Sequence, residues 1–359
     1  MNYKVKRTLV ILINVADRFK KIFIPIILIL VISYVVVTIL ENTPVKYDII
    51  TLEEEPKGIY SSPYSSELTV VYDDKIILYN ESGDMKKYNI NLPISHMAPI
   101  DDYAWIIDDD KNMYKLTYES DTEFEISDII LTDITYLDAS RDAFGAVTSN
   151  GELYVYGDNE CGWLGLDGES YISEPTKVGY MTDVTKFVFS NGMSSVLTTQ
   201  GEVYSAGRID AYDLNNEYYS KYIYEFTKDE ALTDVKDIYG CDYLYSIYED
   251  DDIVCSYGYS YSESDNKYIF RLNEEISDKC VKDSIKLFSA GMKYTLGLND
   301  SGEVYYWGYD FLFEAKVKSD NYSWIPSPVR LTNMDGIDMV YGAMEVAYFK
   351  KGLDIYIIK

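Results

Sequence analysis

The sequence predicts an all-β fold, a β-propeller of about six four-stranded blades with seven as the alternative count, preceded by one N-terminal transmembrane helix. Three observations carry this expectation. A polar turn, an alternating strand and a terminal glycine recur together, ending at Gly157, Gly207, Gly258 and Gly308, in steps of 50, 51 and 50 residues. Residues 22–40 form a stretch of nineteen without a charge. The 359-residue chain is 47% hydrophobic and 15% aromatic, a composition that folds despite a net charge of −28.

The elements follow in chain order. Residues 1–21 hold six basic residues (Lys4, Lys6, Arg7, Arg18, Lys20, Lys21) and one acid, Asp17. Residues 22–40, IFIPIILILVISYVVVTIL, would rise roughly 28 Å as a helix, close to the hydrocarbon thickness of a bilayer. Beyond them lie 26 basic and 59 acidic residues, a net −33. By the positive-inside rule this places the basic tail in the cytoplasm and the bulk of the chain outside, as a single-pass cell-membrane protein. VTILENTPVK lacks an A-x-A-like cleavage site, so an uncleaved signal anchor is expected rather than a cleaved leader. Residues 41–58, with Pro44, Pro56 and four glutamates, read as an acidic extracellular stalk.

The propeller is expected over 59–359. TSNGELYVYG, TTQGEVYSAG, YEDDDIVCSYG and NDSGEVYYWG each read as a hairpin turn feeding a strand. Upstream of each lies a second strand (DAFGAVTS, GMSSVLTT, CDYLYSIY, GMKYTLGL), and before that an inner apolar one, as in VTKFVFSNG, VKDIYGCD and IKLFSAGMK. A fourth strand is inferred, which makes each unit a propeller blade. The expected repeats run near 93–130, 131–180, 181–231, 232–281 and 282–332, and 59–92 joins 333–359 in a closing blade. Closure removes exposed strand edges.

The segment GELYVYGDNECGWLGLDGESYISEPTKV (151–178) resembles the repeat of the regulator of chromosome condensation family through Gly151, Gly157, Asn159, Gly162, Leu164, Gly165, Pro175 and Val178. Tyr156 stands where that family prefers Trp, and Trp163 where it prefers Gln. Gly201, Gly207, Gly258, Gly302 and Gly308 keep the glycine frame elsewhere. The resemblance implies a propeller that presents interaction surfaces, among them a nucleotide-exchange surface for a small GTPase and, in a secreted bacterial relative, an enzyme-inhibitory one. Abundant Lys and Ile beside a single-pass anchor suit a bacterial, extracellular version.

Candidate chemistry is sparse. The acidity of the chain argues against nucleic acid. His96 is the only histidine, so no multi-histidine metal site is available, and it has no evident nucleophile to serve. The triplets Asp108-Asp109-Asp110 and Asp250-Asp251-Asp252 align with hairpin turns and lack calcium-loop spacing. Cys161, Cys241, Cys255 and Cys280 contain no C-x-x-C, and if Tyr248 pairs with Ile253, Cys255 faces Ser246. No catalytic residue, cofactor or metal is therefore assigned.

Tyrosine, at 38 residues, divides into two populations. Tyr154, Tyr204, Tyr305 and Tyr356 recur in strands and read as packing residues. Others crowd long connections in 210–226, 259–270 and 309–324, at equivalent places in successive repeats and so on one face of the ring. Trp163, Tyr218, Tyr219, Tyr222, Tyr261, Tyr322 and Trp324 are the candidate binding face. The expected function is a membrane-anchored extracellular module that binds a protein or peptide, a cationic one being favoured by the charge. The alternative is an extracellular enzyme or glycan-binding module working through carboxylates and tyrosines on that face; two carboxylates converging in a pocket would favour the enzyme.

Overall fold

The computed structural model describes residues 47–359 except 191, 213–217, 241–243, 249–251, 263–266, 273, 310–323 and 333. The chain divides into two compact units, Met1–Pro44 with Leu331–Asn333, and Val45–Arg330 with Met334–Lys359. Of the first, only Leu331 and Thr332 are described. The second holds all the strands discussed below.

Among the described residues the strands form seven four-stranded antiparallel sheets. Blade 1 comprises Gly58–Tyr60, Leu68–Val71, Lys75–Tyr79 and Met85–Asn89. Blade 2 comprises Ile94–Pro99, Tyr103–Asp108, Met113–Tyr118 and Phe124–Ile126. Blade 3 comprises Ile134–Ser140, Ala143–Thr148, Leu153–Asp158 and Tyr171–Lys177. Blade 4 comprises Val184–Ser190, Met193–Thr198, Val203–Tyr212 and Tyr218–Lys228. Blade 5 comprises Val235–Gly240, Leu244–Tyr248, Ile253–Ser262 and Lys267–Leu272. Blade 6 comprises Ile285–Ala290, Tyr294–Asn299, Val304–Tyr309 and Trp324–Arg330. Blade 7 takes Met339–Gly342, Ala347–Lys351 and Asp354–Ile358 from the end of the chain and its outer strand, Asp48–Thr51, from the beginning.

The chain is thus a seven-bladed β-propeller, and the count of about six is corrected. Two features hid the extra blade. Blade 1 is compact, with tight turns at Asp73-Asp74 and 80–84 and no turn glycine at the first of them, so it lies outside the 50-residue period. The closing strand falls in the segment read as a stalk, so residues 58–89 are free to form a sheet of their own.

The membrane-anchored, extracellular reading is also corrected. Among the described residues no helix is long and apolar enough to cross a membrane. The helix Glu274–Lys282 has nine residues, about half of what a bilayer span needs. The segment 22–40, on which that reading rested, lies outside the described residues. The transmembrane signal anchor, the membrane as a partner, the cell-membrane localisation and the extracellular placement therefore do not enter the functional reading, and no finding supports a bacterial source.

The second strand of each blade is buried on both faces, because blades pack face to face. Ala143–Thr148 and Met193–Thr198 are buried at every position, which is why they read as apolar runs rather than alternating strands. The third strand alternates, as Leu153–Asp158 does. Two glycine sets hold the repeat. Gly151, Gly201 and Gly302 turn the hairpins at φ of +74°, +72° and +74°. Gly157, Gly207 and Gly308 lie where the third strand shifts register against the fourth, at φ of +105°, +119° and +111°; a Cβ on Gly157 would lie 1.9 Å from the Asp142 carbonyl oxygen.

Neighbouring blades are joined by buried hydrogen bonds. The Trp307 indole N–H donates to the Tyr245 hydroxyl at 3.0 Å, linking blade 6 to blade 5. The Tyr294 hydroxyl lies 2.5 Å from the Val346 carbonyl oxygen and 2.9 Å from that of Ala343, linking blade 6 to blade 7. The ring closes where the Tyr348 hydroxyl donates to the Ser66 carbonyl at 2.6 Å and the Met344 N–H to that of Ser65 at 2.8 Å.

Blade 5 departs from the pattern. Its outer strand stops at Leu272, and the helix Glu274–Lys282 takes over, burying Ile276 and Cys280 against Cys255, Ile285 and Trp307. Ser277 Oγ accepts the Cys255 N–H at 2.9 Å, a donor that a longer strand would have satisfied. An i, i+4 pair of apolar residues is too short a stripe to reveal this helix in sequence. Cys255 lies opposite Tyr245 rather than Ser246, because Ile253 pairs with Ile247 and not with Tyr248. Cys280 is a free thiol, buried in the same cluster as Cys255, and Cys241 lies outside the described residues. Burial, with Asp283 nearby, pushes the Cys280 thiol up to about 12, which keeps it unreactive.

Candidate functional site

The first strand of each blade lines the axis. Antiparallel order sends the turn after the first strand and the connection after the third to the same face of the ring. The turns at Gly192 and 291–293, the loop 159–170 and the hairpin Val203–Tyr212/Tyr218–Lys228 therefore share one face. The hairpin turns bearing Gly151, Gly201 and Gly302 occupy the opposite one.

On the first face the axis opens into a cavity of about 460 Å³. Tyr64, Trp163, Phe189, Phe288 and Met292 supply its aromatic and apolar wall, and Asp138 and Ser289 its polar one. The Trp163 ring meets Phe189 edge-on at 5.2 Å, and its indole N–H is held by the Asp158 carbonyl. Phe288 is anchored from behind by a 4.1 Å stack on Tyr245. Met292 is 49% exposed at the rim.

Asp138 is half-buried and lines the cavity. Its Oδ2 accepts the Phe189 N–H of blade 4 at 2.8 Å, and its Oδ1 the N–H of Ala139 at 2.9 Å. Desolvation outweighs these two bonds and the more distant charge of Lys186, and the carboxyl is raised from its ordinary value to about 6. Burial, aided by the charge of Asp138 and opposed by Arg141, pushes the Tyr64 phenol up to about 12. Among the described residues no cation makes an ion pair with Asp138.

Deeper in the channel a polar track passes from blade to blade. His96 sits between the rings of Tyr60 and Tyr136, at 5.6 and 6.0 Å, with Nε2 3.0 Å from the Leu137 carbonyl oxygen. Burial lowers its pKa and keeps the ring neutral. Lys186 lies over the Tyr239 ring at 4.2 Å and pairs with Asp237 at 2.9 Å. Tyr60, His96, Tyr136, Lys186 and Asp237 thus form a chain of contacts along successive inner strands.

The candidate face is placed as follows. Trp163 lines the cavity. Tyr222 is 42% exposed and stacks on Tyr224 along the outer strand of blade 4. Tyr218 and Tyr219 begin that strand, Tyr261 lies near the end of the third strand of blade 5, and Trp324 opens the last strand of blade 6, but these four side chains lie outside the described residues, as does all of Tyr322. Sequence reasoning missed Asp138, Tyr64, Phe189, Phe288, Ser289 and Met292. A signal existed for Asp138: aligned by register, its column reads Ala98, Asp138, Val188, Tyr239, Ser289 and Tyr341, with one acid. Among the described residues one carboxylate lines the cavity, so the converging pair required by the enzyme alternative is not formed there. Asp108 is occupied within its turn, accepting the Asn112 N–H at 2.7 Å and the Tyr114 hydroxyl at 3.0 Å.

No protein-family model matches the chain. No curated protein matches it in sequence either. Among solved structures it resembles human WBSCR16, at 12% identity and a TM-score of 0.58, over 86% of this chain and 88% of that one. It also resembles Prp20p from Saccharomyces cerevisiae, at 11% identity and a TM-score of 0.43, over 82% and 67%. A further match is the Cps50 (Swd1) β-propeller domain of Myceliophteria thermophila, at 11% and 0.48, over 87% and 99%. The first likeness shows the fold alone; the other two add no argument.

Proposed function

We propose that the chain is a protein-interaction module that receives a short segment of a partner protein at the axial mouth. The observation that carries this is the cavity of about 460 Å³, walled by Tyr64, Trp163, Phe189 and Phe288 and open on the face bearing the long hairpin of blade 4. That volume suits one or two side chains of a ligand rather than a folded domain. Aromatic walls held by their own packing bind at low entropic cost. The net charge of −28 adds long-range attraction for a basic partner.

The test is selection from a random peptide library against the 359-residue chain, with binding of the selected peptides then measured on two variants. Met292→Trp narrows the mouth at an exposed position and should weaken binding at least tenfold. Leu353→Arg, in a turn on the opposite face, should leave it unchanged. Peptides that bind both variants equally well, or a library that yields none, would overturn the reading.

A further inference from the structure

Two blade-to-blade stitches at the axis share a geometry. A side chain on one inner strand accepts the backbone N–H of the next inner strand. Between blades 6 and 7 the acceptor is Ser289 Oγ, which takes the Gly342 N–H at 2.8 Å. Between blades 3 and 4 it is Asp138 Oδ2, which takes the Phe189 N–H at 2.8 Å. The two positions correspond in register, and both line the mouth cavity. A neutral hydroxyl is therefore enough for the structural task. The charge of Asp138 is an addition that the stitch does not require, and holding a carboxylate in a desolvated, aromatic-walled site disfavours the folded chain.

We infer that the mouth is a receptor for a single cationic side chain, lysine or arginine, with Asp138 as its counter-ion and Tyr64, Trp163, Phe189 and Phe288 as its aromatic walls. This rests on the reading of the mouth as the binding surface. Three properties of the site converge on that ligand. Aromatic faces attract cations and also cover the methylene stem that carries them. Asp138 makes no ion pair among the described residues, whereas the next acid along the channel, Asp237, is already paired with Lys186 at 2.9 Å. One carboxylate falls short of the roughly six to eight oxygen ligands of a calcium site, but it matches a single ammonium or guanidinium group. An arriving cation would supply the compensation that Asp138 lacks, so an isosteric neutral side chain should bind far less well.

The experiment uses the selected peptides and three small probes: acetyl-Ala-Arg-Ala-amide, acetyl-Ala-Lys-Ala-amide and acetyl-Ala-Gln-Ala-amide. Each is titrated into the isotopically labelled chain while the Phe189 amide resonance is followed. The arginine and lysine probes should shift that resonance and bind at least tenfold more tightly than the glutamine probe. Asp138→Ser keeps an acceptor for the Phe189 N–H, as Ser289 does for Gly342, and should lose that preference. Selected peptides that are blocked by Met292→Trp but contain no excess of Lys or Arg would overturn this inference and leave the binding surface standing. So would equal affinity for Asp138→Ser and the native chain. If no peptide depends on the mouth at all, both readings fall.

Discussion

Asp138 joins blade 3 to blade 4, and Ser289 joins blade 6 to blade 7, through the same 2.8 Å bond to a backbone N–H on the facing strand. The two boundaries differ in charge and in what surrounds the bond. At the first, the donor residue is Phe189, whose ring faces Trp163 and walls the cavity. At the second, the donor is Gly342, packed so closely that a Cβ would lie 2.1 Å from the Ala290 carbonyl carbon. One boundary is built for close approach; the other leaves room for a ligand and places a charge beside it.

The largest effect is expected at the tight boundary. Gly342→Ala forces backbone apart and should destabilise the chain by about 3 kcal/mol in denaturant unfolding. Unchanged stability would show that blades 6 and 7 are not held by close approach. Ser289→Asp should copy the cost of the charged stitch, lowering stability above pH 6 by about 2 kcal/mol and leaving it nearly unchanged at pH 4. Equal destabilisation at both pH values would mean that shape rather than charge is responsible.

Asp138→Ser should do the reverse. The carboxyl is raised to about 6 from an ordinary 3.8, so between those values the folded chain binds more protons than the unfolded one. Stability due to this group is complete below about 3.8, is lost as pH rises through about 6, and stays lost above it. Lys186, Tyr64 and Arg141 are the charged and titratable neighbours. The variant should therefore gain about 1–2 kcal/mol at pH 8 and show a flatter stability profile between pH 4 and 6; a profile as steep as the native one would contradict the assignment. The smallest effect lies away from the axis. Lys111 sits at φ +65° where blades 3, 4 and 6 have glycine, and Lys111→Gly should raise stability by about 0.5–1 kcal/mol in thermal unfolding.

Much of the fold was legible because its signals are local. The turn at 148–152 closes on itself through the Thr148 and Gly151 N–H groups, within five residues, and needs glycine at one place. That requirement recurs near 200 and 301 and exposes the period. Blade 1 was merged with the closing blade because the strand that closes it, Asp48–Thr51, lies in the segment read as a stalk. The third strand of blade 3 and the buried run Ala143–Thr148 were readable for the same local reason, through alternation and its absence. Of the candidate site only Trp163 was anticipated. Asp138 looks ordinary beside Leu137 and Ala139, and nothing near it in sequence indicates that Phe189 and Ser289 will share its cavity.

By itself the sequence determined the blade: its turns, its strand order and the glycines that admit positive φ, all encoded among residues a few positions apart. Tertiary structure decided the number of blades, the closing strand at Asp48–Thr51 and the axial cavity. Those depend on contacts such as Tyr348 with Ser66, 282 residues distant, and Asp138 with Phe189, 51 residues distant. A local pattern states how a strand pairs with its neighbour. Which side chains meet at the axis follows only once the ring has closed.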